Sequence, residues 1–191
     1  MTSGVQPNTR LIWLRYLPAA RWSSPWLRFH NFRFHKGINQ LKLEIRSVVP
    51  ASRDATWALV MDIPKAATCI PGIKEVTPDG EGRFQATMQA RVGPMGMTLN
   101  GTITIVSQDA EAGEAHFLVE AGDKRVGGGV KTNMSMKVTA QSDNETELEI
   151  VSDTTFMGRL GELGQPIIRR KARNTLADFS KNLSKLLKAE S

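Results

Sequence analysis

The stretch Arg83-Phe84-Gln85-Ala86-Thr87-Met88-Gln89-Ala90-Arg91-Val92 decides how this chain is read. Phe84, Ala86, Met88, Ala90 and Val92 fall on one face; Arg83, Gln85, Thr87, Gln89 and Arg91 fall on the other. A period of two marks a strand that covers a core on one side and meets water on the other. Met97–Ser107 alternates in the same way, with Leu99, Ile103 and Ile105 opposite Thr98, Asn100, Thr102 and Thr104. Ala115–Ala121, Val130–Ala140 and Glu147–Phe156 read as three more strands, with turn-like Asp109–Gly113 and Ser142–Asn144 among them. Upstream, Ile73–Thr77 precedes the turn Pro78-Asp79-Gly80-Glu81-Gly82. Strands joined by such short turns form an antiparallel meander with one wet face.

The flanks supply the helices. Leu41–Arg46 alternates apolar and charged residues and reads as a first strand, ended by Pro50. Ser52 is a candidate N-cap for a helix reaching about Met61, with Trp57, Val60 and Met61 on its buried face. Pro64 suits the first turn of a second short helix, and Pro71-Gly72 stops it. After a short Leu160–Leu163 turn, Ile168, Ala172, Thr175, Leu176, Phe179, Leu183 and Leu186 recur at spacings of three and four. From Pro166 to Leu187 this predicts roughly 33 Å of helix at ~1.5 Å per residue. A sheet with one apolar face needs a cover, and this helix is the element long enough to provide it.

Residues 1–40 are a different kind of sequence. Arg10, Arg15, Arg21, Arg28, Arg33 and Lys36 stand there without an acid, so the whole net charge of +6 belongs to this tail. The rest of the chain is neutral, which argues against a nucleic-acid-binding domain. The tail also holds Trp13, Trp22, Trp26, Tyr16, His30 and His35. Arg15 interrupts its apolar run, so a secretory signal fits poorly. Three readings compete: an arm for an anionic membrane surface, a transit peptide, or an artefact of an upstream start site. The division expected is a basic tail over 1–40 and one domain over 41–188. No apolar stretch approaches the roughly 20 residues of a membrane span.

Catalytic chemistry is thinly represented. His116 is the one histidine beyond the tail, and in its alternating strand it reads as solvent-facing. A lone histidine supplies neither a triad nor a metal shell. Cys69, the single cysteine, reads as a small buried packing residue. Arg125-Val126-Gly127-Gly128-Gly129 lacks the lysine and context of a phosphate loop and reads as a turn, bulge or ligand-entrance loop. No catalytic residue and no metal site is expected.

The order of elements resembles the helix-grip fold of the START and Bet v 1-like superfamily. Shorter motifs narrow the resemblance. They are Cys69-Ile70-Pro71-Gly72, the run Arg91–Gly101, Gly161-Glu162-Leu163-Gly164-Gln165, and Phe179-Ser180-Lys181-Asn182-Leu183. Together these look like the carbon monoxide dehydrogenase G-subunit family. The resemblance implies an α+β fold, with a curved antiparallel sheet of about seven strands around a long C-terminal helix and two short helices after the first strand. It also implies a non-catalytic accessory protein that holds a quinone-like or other lipophilic molecule and serves a molybdenum hydroxylase of the carbon monoxide dehydrogenase type. Some members carry a long membrane-seeking C-terminal extension. This sequence runs to Ser191, so membrane attachment would fall to the tail or the basic start of the last helix.

On that resemblance, and on a methionine- and alanine-rich inner face, Trp57, Ile70, Phe84, Ala86, Met88, Ala90, Leu99, Ile103, Phe117, Met134, Met136, Leu163, Ile167 and Ile168 are the expected ligand-binding residues. An ordinary solid core is the competing reading. Arg169, Arg170, Lys171 and Arg173 are the expected membrane or partner contacts, set against a merely solvated helix face. A bound quinone is the one cofactor-like group envisaged. The expected location is cytoplasmic, at most peripheral on the inner face of the membrane. Two rival functions share the fold: a polyketide cyclase-like enzyme, for which Asp123, Glu120 and Arg91 would have to turn inward, and an assembly factor without a ligand. Strand phase is read as keeping those three outward.

Overall fold

The computed structural model describes residues 39–163 and 165–190. The readings made for the tail therefore lie outside the described residues, apart from Asn39 and Gln40, which open the first strand. Seven strands form one antiparallel sheet in the order β1-β7-β6-β5-β4-β3-β2. They are β1 (Asn39–Val49), β2 (Ile73–Pro78), β3 (Arg83–Val92), β4 (Met95–Asp109), β5 (Glu114–Asp123), β6 (Gly128–Ser142) and β7 (Glu145–Gly158). Between β1 and β2 lie α1 (Arg53–Met61) and α2 (Ile63–Ala67); after β7 come α3 (Arg159–Glu162) and α4 (Gln165–Glu190). This is the helix-grip arrangement that the sequence implied. The strands run longer than their apolar cores predict, because ladder hydrogen bonds continue into polar ends that carry no periodic signal.

Local chemistry explains the helix boundaries. Ser52 caps α1 by accepting from the Ala55 N–H at 3.3 Å. Asp62 caps α2 by accepting from the Lys65 N–H at 3.2 Å, with Pro64 in the first turn. The buried stripe of α1 is Thr56, Leu59 and Val60. That corrects the expected face, since Trp57 and Met61 are only half-buried at its edge. Thr56 can be fully buried because its hydroxyl donates to the Ser52 carbonyl at 2.9 Å.

The sheet bends at irregularities between Ile73 and Glu75, Ile105 and Ser107, and Ala140 and Ser142. Bulges of this kind sharpen the twist and let a sheet curl around a helix. The second one turns Val106 outward, where it is half exposed.

Two apolar clusters secure α4, one toward each end. Ile168 packs with Leu41, Val92, Met97, Phe156 and Leu160 near the helix start. Leu183 and Leu187 pack with Val49, Leu59, Val138 and Leu148 near its end. Between these anchors Ala172, Thr175, Leu176 and Phe179 are only half-buried. Of these, Ala172, Leu176 and Phe179 pack against the margins of the two clusters rather than within them.

Candidate functional site

The space under that middle section follows from the cross-strand register. Val76 pairs with Ala86, Ala86 with Gly101, Gly101 with Ala121, Ala121 with Val130, and Val130 with Phe156. The three smallest residues of this row, Ala86, Gly101 and Ala121, are consecutive and central. Above them lies a hollow of about 260 Å³. Its sheet side adds Met88, Leu99, Ile103, Phe117, Met134 and Met136, while Ile63, Ala66, Ala67 and Ile70 wall it from the α2 side. Thr175, Leu176 and Phe179 roof it from α4. Among the described residues no ionisable side chain lines it.

A second hollow of about 260 Å³ lies toward the start of α4. Ala90, Val92, Met97, Leu160, Ile168 and Ala172 contribute to its walls. It is less uniformly apolar, because Thr132, Ser152 and Thr154 point into it and Lys171 stands in its lining. The Thr132 and Thr154 hydroxyls lie 3.0 Å apart and share a hydrogen bond.

Ten of the fourteen expected binding residues line one hollow or both, nine of them being Ile70, Ala86, Met88, Ala90, Leu99, Ile103, Phe117, Met134 and Met136. Ile168 makes a tenth, in the second. The other four need correction. Trp57 and Phe84 are half-buried against the cluster at the end of α4, and Leu163 packs against the one at its start. Ile167 is 39% exposed, one position round the helix from the buried Ile168. Sequence reasoning missed Ile63, Ala66 and Ala67 of the α2 wall, Gly101, Ala121, Val130 and the inward hydroxyls of β6 and β7. The hydroxyls had left a signal: Ser152 and Thr154 occupy the phase of Leu148, Ile150 and Phe156.

The polar candidates sort cleanly. Glu120 is exposed and its carboxylate lies 2.8 Å from the Lys131 ammonium; Arg91 is exposed as well. Asp123 departs from the outward reading. It shares the inward phase of Phe117 and Ala121 and is 5% exposed, yet it lines neither hollow. Its carboxylate accepts from the Thr98 N–H at 2.8 Å and from the Arg125 and Val126 N–H groups at 2.9 and 3.3 Å. These bonds, the one from Thr98 first, hold the Asp123 carboxyl below its ordinary pKa. The residue ties the β5–β6 turn to the start of β4.

Cys69 is buried, and burial raises its pKa; its carbonyl accepts from the Asn182 amide of α4 at 3.0 Å. His116 is half-buried beside Glu114, Ser135, Lys137 and Glu149 in a shallow depression. Among the described residues no three His, Cys, Asp or Glu side chains gather as a metal site, and no helix is long and apolar enough to cross a membrane. Arg169, Arg170 and Arg173 are exposed and Lys171 is half-buried. They share the start of α4 with the exposed Ile167.

Comparison with known proteins agrees with this geometry. The family model for the G subunit of carbon monoxide dehydrogenase (CoxG) matches residues 46–188. No curated protein matches significantly. Among solved structures, a conserved protein from Geobacillus kaustophilus aligns with a TM-score of 0.72 at 19% identity, over 78% of this chain and 96% of its own. An aromatase/cyclase from Streptomyces sp. R1128 aligns at 0.59 and 13% identity, over 78% of this chain and 94% of that one. Norcoclaurine synthase from Thalictrum flavum aligns at 0.59 and 15% identity, over 82% and 100% respectively. At these identities the likeness is one of fold.

Proposed function

The chain belongs to the CoxG family of carbon monoxide dehydrogenase, and from that premise we propose that it is a non-catalytic carrier of a lipophilic small molecule. The observation that carries this reading is the apolar space beneath the middle of α4, whose first hollow has no ionisable group among the described residues of its lining. General acid–base catalysis needs a titratable side chain within hydrogen-bond reach of the reacting atoms. Glu120 and Arg91 face away, and Asp123 is committed to backbone N–H groups. Lys171 is the one titratable side chain among the described residues that line the second hollow, with no carboxylate beside it, and that arrangement favours holding over conversion.

A quinone-like molecule suits the space. Burial of a hydrocarbon tail releases roughly 25 cal/mol per Å² of apolar area, and the methionines of the lining adapt to an irregular guest. The family name supports a partner of the carbon monoxide dehydrogenase type. The exposed Arg169, Arg170 and Arg173 and the exposed Ile167 at the start of α4 support transient contact with an anionic membrane surface, from which such a guest would be drawn. Native mass spectrometry and solvent extraction of the purified full chain test the reading. A co-purifying lipophile, or uptake of added decylubiquinone, is the expected result. Repeated absence of both would remove the carrier role.

A further inference from the structure

The two hollows share six residues: Met88, Leu99, Val130, Met134, Thr175 and Leu176. They are neighbours with a common partition rather than separate sites. Two members of that partition are methionines, whose unbranched side chains move between rotamers at little cost. Leu176, from the roof, packs against both apolar clusters. Each hollow alone, at about 260 Å³, falls short of the ~300–1,000 Å³ usual for a small-molecule site. Joined by a swing of Met88 and Met134, they come within that range.

Their chemistry differs in a directional way. The first is apolar throughout apart from Thr102 and Thr175. The second presents the Thr132–Thr154 pair, Ser152 and Lys171, and has no carboxylate among the described residues of its lining. Of the two threonine hydroxyls, one donates to the other at 3.0 Å. The acceptor of that bond keeps its own proton to give away. With Lys171 in the same lining, the second hollow gathers donor-bearing residues and suits an oxygen acceptor.

We infer that the two hollows act as one bipartite site for an amphiphile, with a carbonyl or carboxylate oxygen beside Thr132, Thr154 and Lys171 and an apolar tail crossing between Met88, Met134 and Leu176 into the first hollow. This rests on the carrier reading and adds an orientation and a selection for tail length. The headgroup lies toward the start of α4, nearest Lys171, which is half-buried there.

Calorimetric titration of the full chain with one benzoquinone ring, tail-free and then bearing a decyl tail (decylubiquinone), tests the inference. The decyl compound is expected to bind at least tenfold more tightly. A Leu176→Trp variant, or Leu176→Phe if the first fails to fold, should abolish that gain, so that the tailed and tail-free rings bind alike. A Thr132→Val/Thr154→Val double variant keeps the shape, and should weaken both compounds by a similar factor; Thr154→Ser should recover most of the loss. Lys171→Met separates the two head chemistries, since it should weaken decanoate far more than decylubiquinone. Equal affinity with and without the tail, or a tail gain untouched at Leu176, would overturn the bipartite site and leave the carrier reading standing. Failure of decylubiquinone and decanoate alike to bind would take both down.

Discussion

Gly101 and Ala121 pair across β4 and β5 so closely that a Cβ on the glycine would fall 2.5 Å from the alanine Cα and 2.0 Å from the Glu120 carbonyl oxygen. No side chain fits at position 101 without moving the backbone, so the floor of the first hollow is lowest at this point. The neighbouring Ala86 and Ala121 keep it low. Close-packed interiors leave few voids larger than a water molecule, which makes a row of small residues under a half-buried helix face the physical origin of the site.

Filling that floor should therefore trade binding for stability. Ala121→Leu adds three carbons where space exists, worth up to about 2 kcal/mol of burial at ~0.8 kcal/mol per CH₂. The melting temperature should hold or rise, while affinity for decylubiquinone falls at least tenfold. Thermal melts and titration on the same preparation check both. A fall in stability with binding intact would mean that the position is already packed.

Asp123 gives a prediction in pH. Its folded pKa lies below the ordinary 3.8, so the folded state binds the carboxylate's proton less readily than the unfolded chain does. The stabilisation is complete above 3.8 and is lost as pH falls through the lower folded value. Asp123→Ala should reduce the melting temperature at neutral pH and flatten this acid-side dependence; Asp123→Asn should fall between. Melts across the acid range read the difference. Hydrogen exchange should locate the loosening at Thr98, Arg125 and Val126, the three N–H groups that would lose their acceptor.

How much of this was legible in the sequence depends on which residues decide it. Strand positions came from alternation, and α4 from its three–four spacing, because burial on one face imposes those periods directly. The N-cap at Ser52 was equally readable. The hollow's floor was not, since Ala86, Gly101 and Ala121 meet only through register among three strands, which no single strand's phase contains. Ile167 was assigned inward because a one-residue rotation on a helix cannot be judged without knowing where the sheet lies. Asp123 was misread because its phase was taken with that of Glu120; β5 runs on to Asp123, two residues past the predicted strand, and there it alternates with Phe117 and Ala121. The wall supplied by α2 was missed because five residues are too few to show a periodic face.

Membrane contact at the start of α4 should be electrostatic first. Each cation near an anionic surface contributes about 1 kcal/mol, so Arg169→Gln with Arg170→Gln should weaken binding to phosphatidylcholine vesicles containing phosphatidylglycerol by roughly thirtyfold. Ile167→Asp should weaken it further. Co-sedimentation at rising salt is the measurement. Binding that ignores both salt and these substitutions would exclude this surface.

Cys69 should behave as a sealed thiol. Desolvation raises its pKa, and a thiol reacts as its thiolate. Labelling by an aromatic disulfide reagent near pH 8 should be slow in the folded protein and rapid after denaturation. Fast labelling of the native state would mean that the region around Cys69 and Asn182 opens readily.

The central claim is that a lipophilic guest sits between α4 and the small-residue floor. Methyl-labelled methionine spectra read it most directly, because Met88, Met134 and Met136 line the hollows whereas Met157 is 43% exposed. Decylubiquinone should shift or broaden the Met88, Met134 and Met136 methyls together, saturably, and leave Met157 in place. Saturating quinone that moves none of those three, or moves Met157 alone, would contradict the account.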